Sequence, residues 1–153
     1  MISTLKNIDQ NKIGCIGHSF GGVRCMYLSA MDKRIRAIIL VNSVADLRKK
    51  GGDAKPIVHT WFGFLPGTGQ YTDTDGILAL IGTRPLMILS SENDPIFPLN
   101  EAEDQVKKAS KLYENLGKKD DIKFIVIKNG EHTFPEEYRK QTYDFFDKYL
   151  KQR

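Results

Sequence analysis

Ser19 stands between two glycines in Gly17-His18-Ser19-Phe20-Gly21-Gly22, a G-x-S-x-G pattern at the point where an apolar run ends and a helical pattern begins. A sharp strand-to-helix turn aims a serine hydroxyl out of a sheet, and needs small residues two positions before and after it, where backbones crowd. Gly17, Gly21 and Gly22 meet that demand. The backbone N–H of Phe20, at the head of the following helix, is placed to receive an oxyanion. A hydroxyl is a poor nucleophile until a base takes its proton, so the chemistry further requires a histidine, and a carboxylate that holds it in the right tautomer. The plainer alternative is a glycine-rich turn in which Ser19 only caps a helix.

Both missing groups are expected later in the chain, in the order serine, acid, histidine. Ser90-Ser91-Glu92-Asn93-Asp94-Pro95 follows an apolar run and offers Asp94 as the acid, with Glu92 as a rival and a turn-forming role for Asp94 as the alternative. Lys128-Asn129-Gly130-Glu131-His132-Thr133-Phe134 follows another such run and offers His132 as the base. Of the other two histidines, His18 adjoins the serine and is expected to point elsewhere, and His59 lies in an irregular stretch.

The elements that must position these residues alternate along the chain. Strand-type runs at 12–17, 37–41, 85–89 and 122–127 are separated by helical patterns at 22–31, 76–81 and 100–116, with a last one from Pro135 to about Lys151. Such alternation predicts parallel βαβ units, and the two continuous apolar runs in the middle read as buried central strands. Ser19, Asp94 and His132 then share one edge of the sheet, at the C-terminal ends of three strands. Asn100 reads as a helix N-cap, Gly117 as the stop of that helix, and Ala102, Val106, Ala109, Leu112, Tyr113 and Leu116 as its apolar stripe. Residues 43–75 break all periodicity around His59, Trp61, Phe62 and Phe64, a candidate lid or acyl-binding loop.

The Gly17–Gly22 turn, Asp94 before Pro95 and Gly130-Glu131-His132 together resemble the α/β-hydrolase superfamily. The segment from Asp75 to Ile88, with Arg84-Pro85-Leu86, is similar to the part before the acid in dienelactone hydrolase and acetyl xylan esterase-like members. Dienelactone hydrolases proper use cysteine where this chain has Ser19, which shifts the implied chemistry toward ordinary carboxylic esters. The elbow also resembles that of platelet-activating-factor acetylhydrolases. The resemblance implies a three-layer α/β sandwich with a mostly parallel sheet and a Ser19–His132–Asp94 serine esterase without metal or organic cofactor. It also implies two alternatives: a serine peptidase of prolyl-oligopeptidase type, and a non-catalytic hydrolase-like interaction module.

Complete members have about eight strands, with the elbow after the fifth, whereas here it follows the first. The expectation is therefore a partial fold of about four strands, a single domain over residues 1–153 that corresponds to the C-terminal portion, with Met1–Asn11 as the tail of a helix. Two features would be lacking, a second oxyanion donor and a neighbour for the strand at Ile13–Ile16. That edge is expected to pair with a second copy or with the missing N-terminal half.

Composition excludes other classes. The 153 residues are 41% hydrophobic, enough for one core. The net charge of +4 comes from 23 basic and 19 acidic residues that interleave, as Lys107, Lys108, Lys118 and Lys119 do with Glu103, Asp104 and Asp120, so no nucleic-acid partner is expected. Cys15 and Cys25 have no metal spacing and read as small buried apolar residues. No apolar run is long enough to span a bilayer and no leader pattern follows Met1, so a cytoplasmic protein with a small-molecule ester substrate is expected.

Overall fold

The computed structural model describes residues 5–46, 48 and 70–151. Four strands, β1 (Ile13–His18), β2 (Ile35–Val41), β3 (Leu86–Ser91) and β4 (Ile122–Ile127), form one parallel sheet in the order β1-β2-β3-β4. Helices α1 (Phe20–Met31), α2 (Thr74–Leu80) and α3 (Leu99–Asn115) make the three crossovers, and α4 (Glu136–Leu150) follows β4. Successive crossovers of one hand, each stepping the same way across a sheet, stack their helices on one face. The chain does this, and α4 returns over the other face.

Side-chain alternation along β2 divides the core accordingly. Ile38 and Leu40 join Ile88 of β3 under Met26, Leu78, Val106 and Tyr113, from α1, α2 and α3. Ala37, Ile39 and Val41 join Met87 and Leu89 under Phe145 of α4, with Tyr138, Phe146, Tyr149 and Leu150 at its margin. A register shift opposite Ile13 and Gly14 leaves Arg36 exposed and returns Ile35 to the first face. β2 and β3 are almost wholly buried, as central parallel strands are. β1 lies at an edge, pairs with β2 alone among the described residues, and leaves Ile16 41% exposed.

Several sequence expectations need correction. The described residues 5–11 are turns rather than the tail of a helix, because the Asp9 carboxylate takes the Asn11 amide and the Lys12 amide goes to the Asp9 carbonyl. Pro98, not Asn100, is the N-cap of α3, its carbonyl accepting the Glu101 and Ala102 amides at 3.1 Å. Leu116 leaves the apolar stripe as the exposed C-cap, while Gln105 is buried in it. Gly117 does stop the helix: at φ 67° it lets the Lys118 amide reach the Tyr113 carbonyl and its own amide reach that of Glu114, a Schellman closure. Cys25 is buried, but Cys15 on the edge strand is only partly so.

Candidate active site

Ser19 is the residue between β1 and α1, with φ 57° and ψ −129°, a left-handed backbone that a non-glycine residue adopts only under strain. The surrounding contacts hold it there. Its amide donates to the Val41 carbonyl at 2.9 Å, and its carbonyl accepts the Gly22 and Val23 amides of the first helical turn. A Cβ on Gly17 would stand 2.1 Å from the Gly21 carbonyl oxygen, and one on Gly22 would meet Ser43 Oγ at 2.3 Å. The expectation for Gly21 fails: a Cβ there would meet nothing within 4 Å, because its backbone is what Gly17 makes room for.

The turn presents Ser19 Oγ to His132 Nε2 at 2.7 Å, and His132 Nδ1 lies 2.8 Å from Asp94 Oδ2. The three residues named from the sequence thus come together in one continuous hydrogen-bonded series. The Asp94 side chain is wholly buried, and its other oxygen accepts the Ile96 and Phe97 amides at 2.8 and 2.9 Å, which fixes the carboxylate plane. Glu92 is elsewhere: its carboxylate takes the Asn129 amide and the Lys128 ammonium, which hold it below the usual carboxylate range, and it does not reach His132. The backbone N–H of Phe20 opens α1, at the positive end of the helix.

The ring of His132 is also framed by two aromatic rings. Phe97 stacks on it at 5.9 Å between centroids, 15° from parallel, and His18 tilts against it at 4.9 Å. His18 was expected to point away, yet it belongs to the site: burial, and then the proximity of His132, push its imidazole below the usual histidine pKa. Its position as the last residue of β1, on the edge that carries the site, is the signal that could have placed it. Asn42, the first residue after β2, is a second participant that the sequence reading did not single out; it is completely buried. His59, Trp61, Phe62 and Phe64 lie outside the described residues.

Among the described residues no group of three or more His, Cys, Asp or Glu side chains could hold a metal ion. No helix of the described residues is long and apolar enough to cross a membrane. A nucleophile, a base and a buried acid in hydrogen-bonded series can activate the serine by proton removal.

Comparison with known proteins gives this geometry a family. The curated protein named "Putative hydrolase YtaP", from Bacillus subtilis (strain 168), is 23% identical over 144 residues, which cover 94% of this chain and 48% of that one. The glucuronoyl esterase of Solibacter usitatus superposes with a TM-score of 0.77 at 22% identity, over 95% of this chain and 44% of that chain. A methylesterase superposes with a TM-score of 0.74 at 24% identity, over 97% of this chain and 32% of its own length. The chain therefore spans less than half the length of these relatives, and the fold is that of the α/β-hydrolase superfamily. The model of the prolyl oligopeptidase family matches residues 1–153, and the chain belongs to that family.

Proposed function

We propose that this chain carries the nucleophile, base and acid of a serine hydrolase that cleaves carboxylic esters. The supporting observation is the uninterrupted series Ser19 Oγ, His132 Nε2, His132 Nδ1, Asp94 Oδ2, with both links under 3 Å. Asp94, pinned by two backbone amides, accepts the Nδ1–H of His132 and leaves Nε2 with a lone pair toward the hydroxyl. As Ser19 Oγ attacks an ester carbonyl, its proton passes to Nε2, and the imidazolium is stabilised by the buried carboxylate. The developing oxyanion is received by the Phe20 N–H, one of the two or more donors such sites use. His132 then gives the proton to the leaving alkoxide, and the same residue activates a water that releases the acyl group from Ser19. The ester and one water are consumed, and the acid and the alcohol are released.

The esterase titles of the similar structures favour esters, whereas the family match favours a second reading, a serine peptidase of prolyl-oligopeptidase type. Purified protein and Ser19→Ala, assayed on p-nitrophenyl acetate and on a prolyl p-nitroanilide, separate the two. Turnover of the ester that vanishes in Ser19→Ala is the expected result, and Ser19-dependent cleavage of the anilide alone selects the peptidase. Folded protein whose Ser19 is not labelled by a fluorophosphonate rejects both in favour of a non-catalytic interaction module.

A further inference from the structure

Asn42 takes no part in the proton relay, yet it touches both loops that carry it. Its Nδ2 donates to the Thr133 carbonyl at 2.8 Å and to Ser91 Oγ at 3.0 Å, and its Oδ1 accepts the Ser91 amide at 2.8 Å. Thr133 follows His132, and Ser91 ends β3, its carbonyl accepting the Asp94 amide at 3.4 Å. The residue is 0% exposed, and its backbone sits at φ 45° with its own amide held by the Leu89 carbonyl at 2.8 Å. We propose that Asn42 is a positioning residue, a buried side chain that fastens the end of β3, from which the Asp94 loop leaves, to the residue after His132, so that one imidazole ring reaches Ser19 and Asp94 together. The proposal rests on the hydrolase reading above and deepens it.

The chemistry of the position selects asparagine. The left-handed backbone excludes β-branched and bulky residues but accepts asparagine at small cost. The bridge needs an acceptor for an amide N–H and a donor for a carbonyl in one rigid plane, which a carboxamide supplies and a carboxylate does not. Glycine would satisfy the backbone and leave both partners unbridged. Apart from the Asp94–His132 bond and the Phe97 ring stacked on the imidazole, the other ties between the two loops among the described residues engage residues 127–130: the backbone bonds from Asn93 to Gly130 and from Glu92 to Ile127, and the Glu92 carboxylate on the Asn129 amide and the Lys128 ammonium. Loss of the Asn42 bridge therefore frees the stretch nearest His132. A displacement of about 1 Å at a reacting group costs on the order of 100-fold in rate.

The test compares the full chain with Asn42→Gly and with the isosteric Asn42→Asp, which keeps an acceptor for Ser91 and offers Thr133 no donor. Three readouts are taken: the rate of Ser19 phosphonylation by a fluorophosphonate, the downfield imidazole N–H proton resonance of His132 assigned by its loss in His132→Gln, and the thermal transition. The expected result is phosphonylation slowed about 10- to 100-fold in both variants, with the His132 resonance lost to exchange while the protein remains folded at the assay temperature. A parental labelling rate with an intact resonance overturns the proposal, and so does a lowered melting temperature with both retained, the mark of a merely structural residue. If Asn42→Gly does not fold, Asn42→Asp gives the decision. If the parent itself is not labelled at Ser19, the hydrolase reading fails, and the resonance, which reports the His132–Asp94 bond alone, still decides the role of Asn42.

Discussion

His18 and His132 are two imidazoles in contact that differ in their hydrogen bonds among the described residues. His132 is bonded at both nitrogens, whereas His18 Nε2 is buried without a hydrogen-bond partner. A proton on His18 would be poorly solvated and would face any positive charge that develops on His132. The folded state therefore favours the neutral ring, and its pKa lies below that of the unfolded chain. Between the two values the unfolded chain binds more protons, so stability rises with pH across that window. The contribution is nil above about pH 6.5, the ordinary histidine value, and becomes increasingly destabilising as pH falls toward the depressed one. Melting curves at a series of pH values should show a steeper acid-side decline for the parent than for His18→Gln. Parallel curves would remove this account. The residue scale is also where the sequence was most and least informative. That Ser19, Asp94 and His132 come together was legible because each follows an apolar strand run, in the chain order that the resembled fold uses. His18 was misread because adjacency to a nucleophile does not reveal which way a ring turns, and Asn42 was missed because asparagine at a strand end is indistinguishable from an ordinary turn residue.

At the scale of elements, Arg84 shows how the lower end of the sandwich is closed. Its guanidinium donates to the Ile35, Asp32 and Ile81 carbonyls at 2.7, 3.0 and 2.7 Å and also to the Ser29 carbonyl, binding together the ends of α1 and α2 and the start of β2. Tyr113 of α3 donates to the Arg84 carbonyl at 3.1 Å, so a third helix is attached to the same point. Helix C-termini leave carbonyls without intrahelical partners, and here one planar, five-donor group serves two of them. Arg84→Ala strands several carbonyls at once and is expected to lower stability by about 2–3 kcal/mol, the cost of leaving buried polar groups unsatisfied. Arg84→Lys, a single-point donor, should recover only part of it. Chemical denaturation of the three proteins checks both; equal midpoints would show that water replaces the guanidinium. The strands and helices themselves were legible to within a few residues, because continuous apolar runs and a helical stripe specify them strongly. The caps were not. Pro98 displaced Asn100 because a proline carbonyl can open a helix without any side-chain signature, and Asp9 turned a helical-looking segment into a turn by claiming the Asn11 amide.

At the scale of the whole molecule, the β1 edge dominates. Ile16 and, beyond it, Phe20, Leu28 and Met31 are exposed hydrophobic residues on β1 and α1, the two elements at that end of the sheet. Unpaired strand edges with apolar side chains invite pairing. The 153-residue chain is therefore expected to self-associate in size-exclusion chromatography, and Ile16→Lys, a charge on that edge, to shift it toward the monomer. A monodisperse parent would count against the edge as an association surface. How the edge is used in longer members of the family was not legible here, since a strand's own sequence does not name its neighbour.

The strand order has a kinetic consequence as well. Ser19 and His132 are separated by 113 positions, and between them lie all three crossovers. Contacts so distant in the chain carry a large loop-closure entropy and form late, after local helices and neighbouring strand pairs. On the proposed hydrolase reading, a nascent or half-assembled chain would hold Ser19 as an ordinary, unreactive hydroxyl. Phosphonylation would then act as a stopwatch for folding, starting only when the last strand and the loop behind it have docked.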